Sequence, residues 1–350
     1  MRRAVHAEDE VGALALVEQA QGRMDVVADL IRRTAAETCI DYFGLEAPDP
    51  DALADWTIGI NRMVFADPFG VPETRSQALQ AARYFRAVVE RSLDVAAAHP
   101  GANTLIDRLL TVQAAGGISR AEIISFLTGN ATGLIPTTTI GMTAIIEELL
   151  SWPEWWTEAR RLASVARQGG PGPASAARAR LRDILLEAAR LSPTLFPGQF
   201  RIAASPGVIA QGTLRAARVK AGDLVIAATA SALRDGRRFQ RPNTFNPNRP
   251  PAEKQAAEMM FGWGPHKCVG IHLAVAVMVE IAVALFSRED LKPAAGNAGK
   301  VRSSGPYPRH MEMTWKPDQP GARGAAPAVF ANQQTLMVIA APLPAHVNPA

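Results

Sequence analysis

From Ile123 to Ile146 the chain carries no charged residue for 24 consecutive positions. That run limits what the chain can fold into more than any other feature, because an uncharged helix of this length must be covered over most of its surface. It is long enough to cross a bilayer core. Eight of the 24 residues are Ser, Thr or Asn, however, and Pro136 lies inside the run. Hydrocarbon offers so many hydroxyls no partners. We therefore expect a long helix buried through the middle of a large domain, with no membrane span. The remainder of the chain can supply the cover. Of 350 residues, 48% are hydrophobic and 20% charged, a balance that suits one large core and excludes disorder.

Around that run, residues 7–195 read as helix after helix. Apolar residues recur at three- and four-residue intervals in Val26, Leu30 and Ile31, in Phe85, Val88 and Val89, and in Leu181, Ile184 and Leu185. The breakers between them are short loops rather than domain linkers: APDPD at 47–51, DPFGVPE at 67–73, HPGAN at 99–103 and GGPGP at 169–173. From about residue 199 short β-rich pieces appear, Phe200–Ala203 and Leu224–Ala228. A loop-rich stretch follows over 234–268, then a strongly apolar helix from Val269 to about Phe286. The tail over 316–332 is rich in Pro, Gly and Ala and reads as irregular. The expectation is a single domain over 1–350, mainly α with a minor β portion, with about 1–24 and 316–350 irregular.

Charge and cysteine usage narrow the function classes. Against 33 Asp and Glu stand 37 Lys and Arg, leaving +4, and the basic residues form no long run. Nothing here argues for nucleic acid. Arg234, Arg237, Arg238 and Arg241 make one local basic cluster that could meet an acidic protein. Two cysteines, Cys39 and Cys268, cannot form a disulfide framework. The opening MRRAVHAEDEVGALAL places acidic residues where a secretory apolar segment would stand. Reduced thiols in a cytoplasmic protein are the expectation.

The chemistry concentrates in FGWGPHKCVG at 261–270. Three glycines and a proline in ten residues describe a tight loop whose backbone can approach a ligand closely. The loop presents one thiol, Cys268, and runs straight into a helix. A cysteine there meets unpaired N–H groups and the positive end of the helix dipole, both of which favour thiolate. Such a thiolate is a good axial ligand for haem iron. A zinc site is poorly supported, since no second Cys/His pair accompanies His266 and Cys268.

Phe261, Gly264, His266, Cys268 and Gly270 fill Phe-x-x-Gly-x-His-x-Cys-x-Gly, which resembles the haem-binding loop of the cytochrome P450 family. The resemblance implies haem b as cofactor, Cys268 as the iron ligand, Phe261 packed beside the thiolate, and His266 reaching a haem propionate. Arg201 matches a position that commonly contacts a propionate. Glu187-Ala188-Ala189-Arg190 resembles the family's Glu-x-x-Arg, and Phe245-Asn246-Pro247-Asn248-Arg249 its Phe-x-Pro-x-Arg. We expect Glu187, Arg190 and Arg249 to form a buried scaffold network.

The uncharged run resembles the family's long helix over the distal haem face. Monooxygenases of the family carry an acid followed by a threonine there; this chain has Pro136 and Thr137. At about 100° per residue, Asn130, Gly133, Thr137 and Gly141 share a stripe. Gly133 and Gly141 would admit a flat cofactor or substrate, with Asn130 and Thr137 as the polar groups. Alternatively, the hydroxyls bond back to their own helix. Pro136 also removes the hydrogen bond that the Thr132 carbonyl would accept.

These features imply a P450-like fold, N-terminally truncated, because the chain opens where the family is already well into its helices. The implied activity is that of a monooxygenase using O2, a small apolar substrate, and a ferredoxin or flavin reductase as electron donor. Two alternatives stand beside it. An acid-free distal helix with an asparagine resembles members that use peroxides or isomerise fatty-acid hydroperoxides. A non-enzymatic haem-binding remnant is the other.

Overall fold

The computed structural model describes residues 12–47 and 49–317. The expectations for 1–11 and for the tail beyond 317 lie outside these residues. Helices dominate the first two thirds: α1 (Ala13–Gln19), α2 (Arg33–Phe43), α3 (Pro50–Phe65), α4 (Pro72–Ala98), α5 (Leu105–Ala114), α6 (Arg120–Leu150), α7 (Pro153–Gln168) and α8 (Pro171–Leu191). The breakers seen in the sequence start several of them. Pro50, Pro72, Pro153 and Pro171 each occupy the first helical position, where a missing N–H costs nothing and φ is already helical. Capping boxes open α5 and α6, pairing Thr104 with Asp107 and Ser119 with Glu122.

The C-terminal part mixes short strands with three more helices, α9 (Thr229–Ala232), α10 (Pro251–Ala257) and α11 (Ile271–Phe286). Strands β1 (Arg23–Asp25), β2 (Gln199–Ile202), β3 (Gly207–Ile209), β4 (Ala217–Val219), β5 (Leu224–Ala227), β6 (Lys292–Pro293), β7 (Arg302–Ser304), β8 (Tyr307–His310) and β9 (Glu312–Thr314) make one three-stranded sheet and three two-stranded ribbons. All pairings are antiparallel. The two β-rich pieces read from the sequence, β2 and β5, pair with each other.

Two features depart from the sequence reading. The stretch 7–195 is not helical throughout: β1 pairs with β9 across nearly the whole chain. Its three residues are too few for an alternating pattern to register. Directly after β1, Val26, Leu30 and Ile31 do lie on a helical face, but the segment Val26–Arg32 is a π-helix that continues into α2. The second departure is α10, inside the stretch read as loop; Pro250 and Pro251 masked it, although Pro251 is a helix starter.

Two hydrophobic cores meet on α6. Ile123, Leu127, Ala131, Leu134 and Ile135 pack with α2, α3 and α4, whereas Met142, Ile145, Ile146 and Leu149 pack with α7, α8 and α11. Pro136 lies at the crossover between them. Among the described residues, no helix is long and apolar enough to cross a membrane. Most of the uncharged run is buried by protein, as expected, although Ser125, Phe126 and Gly129 near its start are exposed.

Pro136 donates nothing to Thr132, and the fold supplies a substitute. The Asn61 side chain on α3 donates from Nδ2 to the Thr132 carbonyl at 2.9 Å. Its own carbonyl accepts from the Tyr307 hydroxyl of β8 at 2.8 Å. Asn61, Thr132 and Tyr307 are all buried. A buried carbonyl without a partner costs about 1–3 kcal/mol, so this pairing lets α6 accommodate Pro136 in its interior. It also ties α3, α6 and β8 together.

Candidate active site

The cysteine loop stands on a buried ionic scaffold. Glu187 on α8 accepts from Arg190 at 3.0 and 2.8 Å and from Arg249 at 3.0 Å to each carboxylate oxygen. The Asn246 N–H adds a bond at 3.0 Å. Exposure is 5% for Glu187, 0% for Arg190 and 4% for Arg249, so none of these charges is relieved by water. The remaining guanidinium donors are spent on carbonyls, those of Leu233 and Pro242 for Arg190 and of Gln240 and Thr244 for Arg249. Phe239 lies under both cations at 5.1 and 5.6 Å. Glu253, which the sequence reading missed, supplies a second carboxylate, 2.6 Å from Arg249. Two anions balance two cations, the condition under which burial of such a group is tolerable. Its signal was the i, i+4 spacing from Arg249 into α10.

Beyond this scaffold the chain turns through Phe261 into the loop. Phe261 is half-buried against the larger core. Gly262 has φ +88°, and a side chain there would run into the His266 carbonyl at 2.6 Å, so only glycine serves. Gly264 also has positive φ, +62°. The Cys268 N–H donates to the Phe261 carbonyl at 2.7 Å and closes the loop. Cys268 itself is exposed, as are Trp263, His266 and Val269. Gly270 caps α11, whose first N–H groups have no intrahelical partners. Cys39 is the opposite case: burial pushes its thiol well above the ordinary range.

α11 begins three residues after Cys268. Its first turn brings Leu273 and Ala274 into the core that holds Leu127, Ala131 and Leu134 of α6, so the loop lies on the flank of α6. Along α6 Phe126, Gly129, Asn130, Gly133, Thr137, Ile140 and Ala144 form a stripe that is exposed or half-buried, and Ile124, Ser125 and Thr128 widen it near the helix start. A side chain built at Gly133 would meet nothing within 4 Å. Gly141 leaves the predicted stripe, being buried with Thr194 and Met278 pressed against it. Asn130 donates to the Phe126 carbonyl at 2.8 Å and Thr137 to the Gly133 carbonyl at 2.6 Å. Both polar groups therefore bond back to their own helix, the alternative raised above.

Arg201, on β2, is exposed and donates to the Phe200 carbonyl at 2.7 Å and to the Gln199 side chain. With Phe65, Leu195 and Phe200 it lines a small cavity of about 150 Å3 at the end of α3. Among the described residues, no group of three or more His, Cys, Asp or Glu could hold a metal ion. The loop offers one exposed thiol, that of Cys268.

Comparison with known proteins agrees with this architecture. The family model described as Cytochrome P450 matches residues 75–302. A bifunctional dioxygenase–epoxy alcohol synthase of Pyricularia oryzae is 33% identical over 133 residues, which are 37% of this chain and 11% of that protein. The epothilone C/D epoxidase of Sorangium cellulosum is 38% identical over 86 residues, 22% of this chain and 19% of the relative. The match thus spans less than a fifth of the length of either curated relative. Among solved structures, CalO2 superposes with a TM-score of 0.66 at 25% identity, covering 87% of this chain and 69% of that one. Epothilone D-bound cytochrome P450epoK gives 0.68 at 22% identity, covering 87% and 72%. The model match takes in well over half of the residues, and the chain belongs to the cytochrome P450 family.

Proposed function

We propose that this protein is a haem-thiolate oxidoreductase, acting as a monooxygenase on an apolar small molecule with O2 and a reductant, and that Cys268 is its iron ligand. The observation that carries the reading is the exposed thiol of Cys268, at the head of α11, in a loop closed by its own N–H on Phe261. Haem fits the residues present: one accessible thiol, the clearance at Gly133, and the cationic side chain of Arg201 with His266 for the propionates. When bound, haem supplies the iron at which oxygen is activated.

The chain's own residues then have separate tasks. The N–H groups at the start of α11, which have no intrahelical partners, would favour negative charge on a sulfur ligand supplied by Cys268. A side chain at Gly270 would reach within 3.9 Å of that sulfur, so the glycine keeps its approach open, and by the family resemblance Phe261 would pack beside it. Thr137 spends its hydrogen on the Gly133 carbonyl, leaving its oxygen free to accept from a water or substrate hydroxyl. Asn130 keeps a free carbonyl oxygen in the same way. Arg237, Arg238 and Arg241, all exposed, would meet an acidic ferredoxin or flavin reductase.

Pro136 favours a second reading. No side chain at that position can relay a proton to dioxygen, the task of the acid in the usual scheme. A substrate that already contains an O–O bond removes the need. The likeness to fungal dioxygenase–epoxy alcohol synthases points the same way. Turnover of haem-loaded protein separates the two. The monooxygenase reading expects product with NAD(P)H and an electron-transfer partner; product only with an organic hydroperoxide would replace it by the second.

A further inference from the structure

Between α3, α4 and the β7–β8 hairpin lies an open groove of about 410 Å3, within the ordinary range for small-molecule sites. Its floor is apolar, formed by the buried Ile58 and Ala81. Its rim carries Thr74, Gln77 and Ser304, with Arg62 and Arg309 as the cations.

Arg62 is oriented without being neutralised. Its Nη2 donates to the Ser304 carbonyl at 3.2 Å and to the Ser304 hydroxyl at 3.1 Å. The guanidinium stands 5.2 Å from the Tyr307 ring centroid. Among the described residues no carboxylate pairs with it, and its Nε and Nη1 make no hydrogen bond. The one acid of the groove, Asp55, is engaged with Arg32 at 3.1 Å and Arg309 at 3.5 Å. The groove therefore holds an excess of positive charge, with one planar fork held in place and three of its five donors unspent. A carboxylate matches that fork in shape and charge. The preset orientation lowers the entropy lost on binding.

We propose that this groove binds the carboxylate of an amphipathic small molecule, with Arg62 as principal anchor, Arg309 as second cation and the Ile58–Ala81 floor receiving the adjoining apolar chain. None of these residues belongs to the cysteine loop, so the inference stands whatever becomes of the haem assignment.

Calorimetric titration of the full chain tests it, with octanoate, octan-1-ol and inorganic phosphate as probes. Octanoate is expected to bind at least about 10-fold more tightly than the alcohol and than phosphate, the scale of a charge-assisted hydrogen bond. Arg62→Gln is expected to weaken octanoate by about 10-fold or more, and Arg62→Lys by less, because charge survives while the fork does not. Should Arg62→Gln disturb folding by circular dichroism, the half-buried Arg309 and the exposed Asp55 carry the test: Arg309→Gln weakens octanoate and Asp55→Asn tightens it, each by a few fold. Equal binding of alcohol and carboxylate would overturn the proposal. So would tighter binding of phosphate, which would mark a general anion patch, or octanoate affinity unmoved by these substitutions.

Discussion

Replacing Asn61 with leucine removes the donor that serves the Thr132 carbonyl and the acceptor that serves the Tyr307 hydroxyl. Asn61 is 1% exposed and Tyr307 2%, so water repairs neither loss. At about 1–3 kcal/mol for each orphaned group, Asn61→Leu should cost roughly 2–5 kcal/mol after the small gain from an apolar side chain. A double-mutant cycle isolates the cause. Pro136→Ala restores the N–H that an uninterrupted helix would offer to Thr132. In the Asn61→Leu background that N–H relieves the carbonyl; in the native background the carbonyl is already served. Urea unfolding of the four proteins should give a coupling energy of about 1–2 kcal/mol, with Pro136→Ala more favourable in the mutant background. Additivity to within about 0.5 kcal/mol would refute the reasoning, since Asn61 would then not be standing in for the helix bond.

Other expectations follow from neighbouring groups. Glu187→Gln should destabilise by about 3–5 kcal/mol in urea unfolding, because Arg190 and Arg249 would then face only Glu253. Haem-free native protein should titrate one thiol with a disulfide reagent and two in denaturant, because Cys268 is exposed and Cys39 is buried. Tyr307 is pushed up to about 12, chiefly by burial. An unfolded tyrosine ionises first as pH rises, so stability should be intact below about pH 10 and fall between about 10 and 12. Denaturation midpoints across that range should decline less steeply for Tyr307→Phe.

Local chemistry was readable where it repeats or where its spacing is rigid. The buried course of α6 followed from an uncharged run whose hydroxyls need protein partners, and the α8 acid–base pair followed from its resemblance to the family's Glu-x-x-Arg. The cysteine loop announced itself by glycines that the backbone needs. What escaped depends on contacts between distant positions. β1 exists only because Glu312–Thr314 lies beside it. Asn61 and Tyr307 are 246 positions apart, and nothing near either residue marks it as the answer to Pro136. The sequence did show that the Thr132 carbonyl would lose its helix partner; it could not show which side chain would take that place. Asn130, Gly133 and Thr137 share a half-buried face, yet Gly141 departs from it because Thr194 and Met278 close over that side of α6.

The account turns on sulfur-to-iron ligation by Cys268, and the most direct measurement is the visible spectrum of haem-loaded, reduced protein under carbon monoxide. Native protein should show the thiolate-type Soret band, and Cys268→Ala should lose it. An identical spectrum for the two proteins would contradict the assignment of Cys268 and the chemistry built on it.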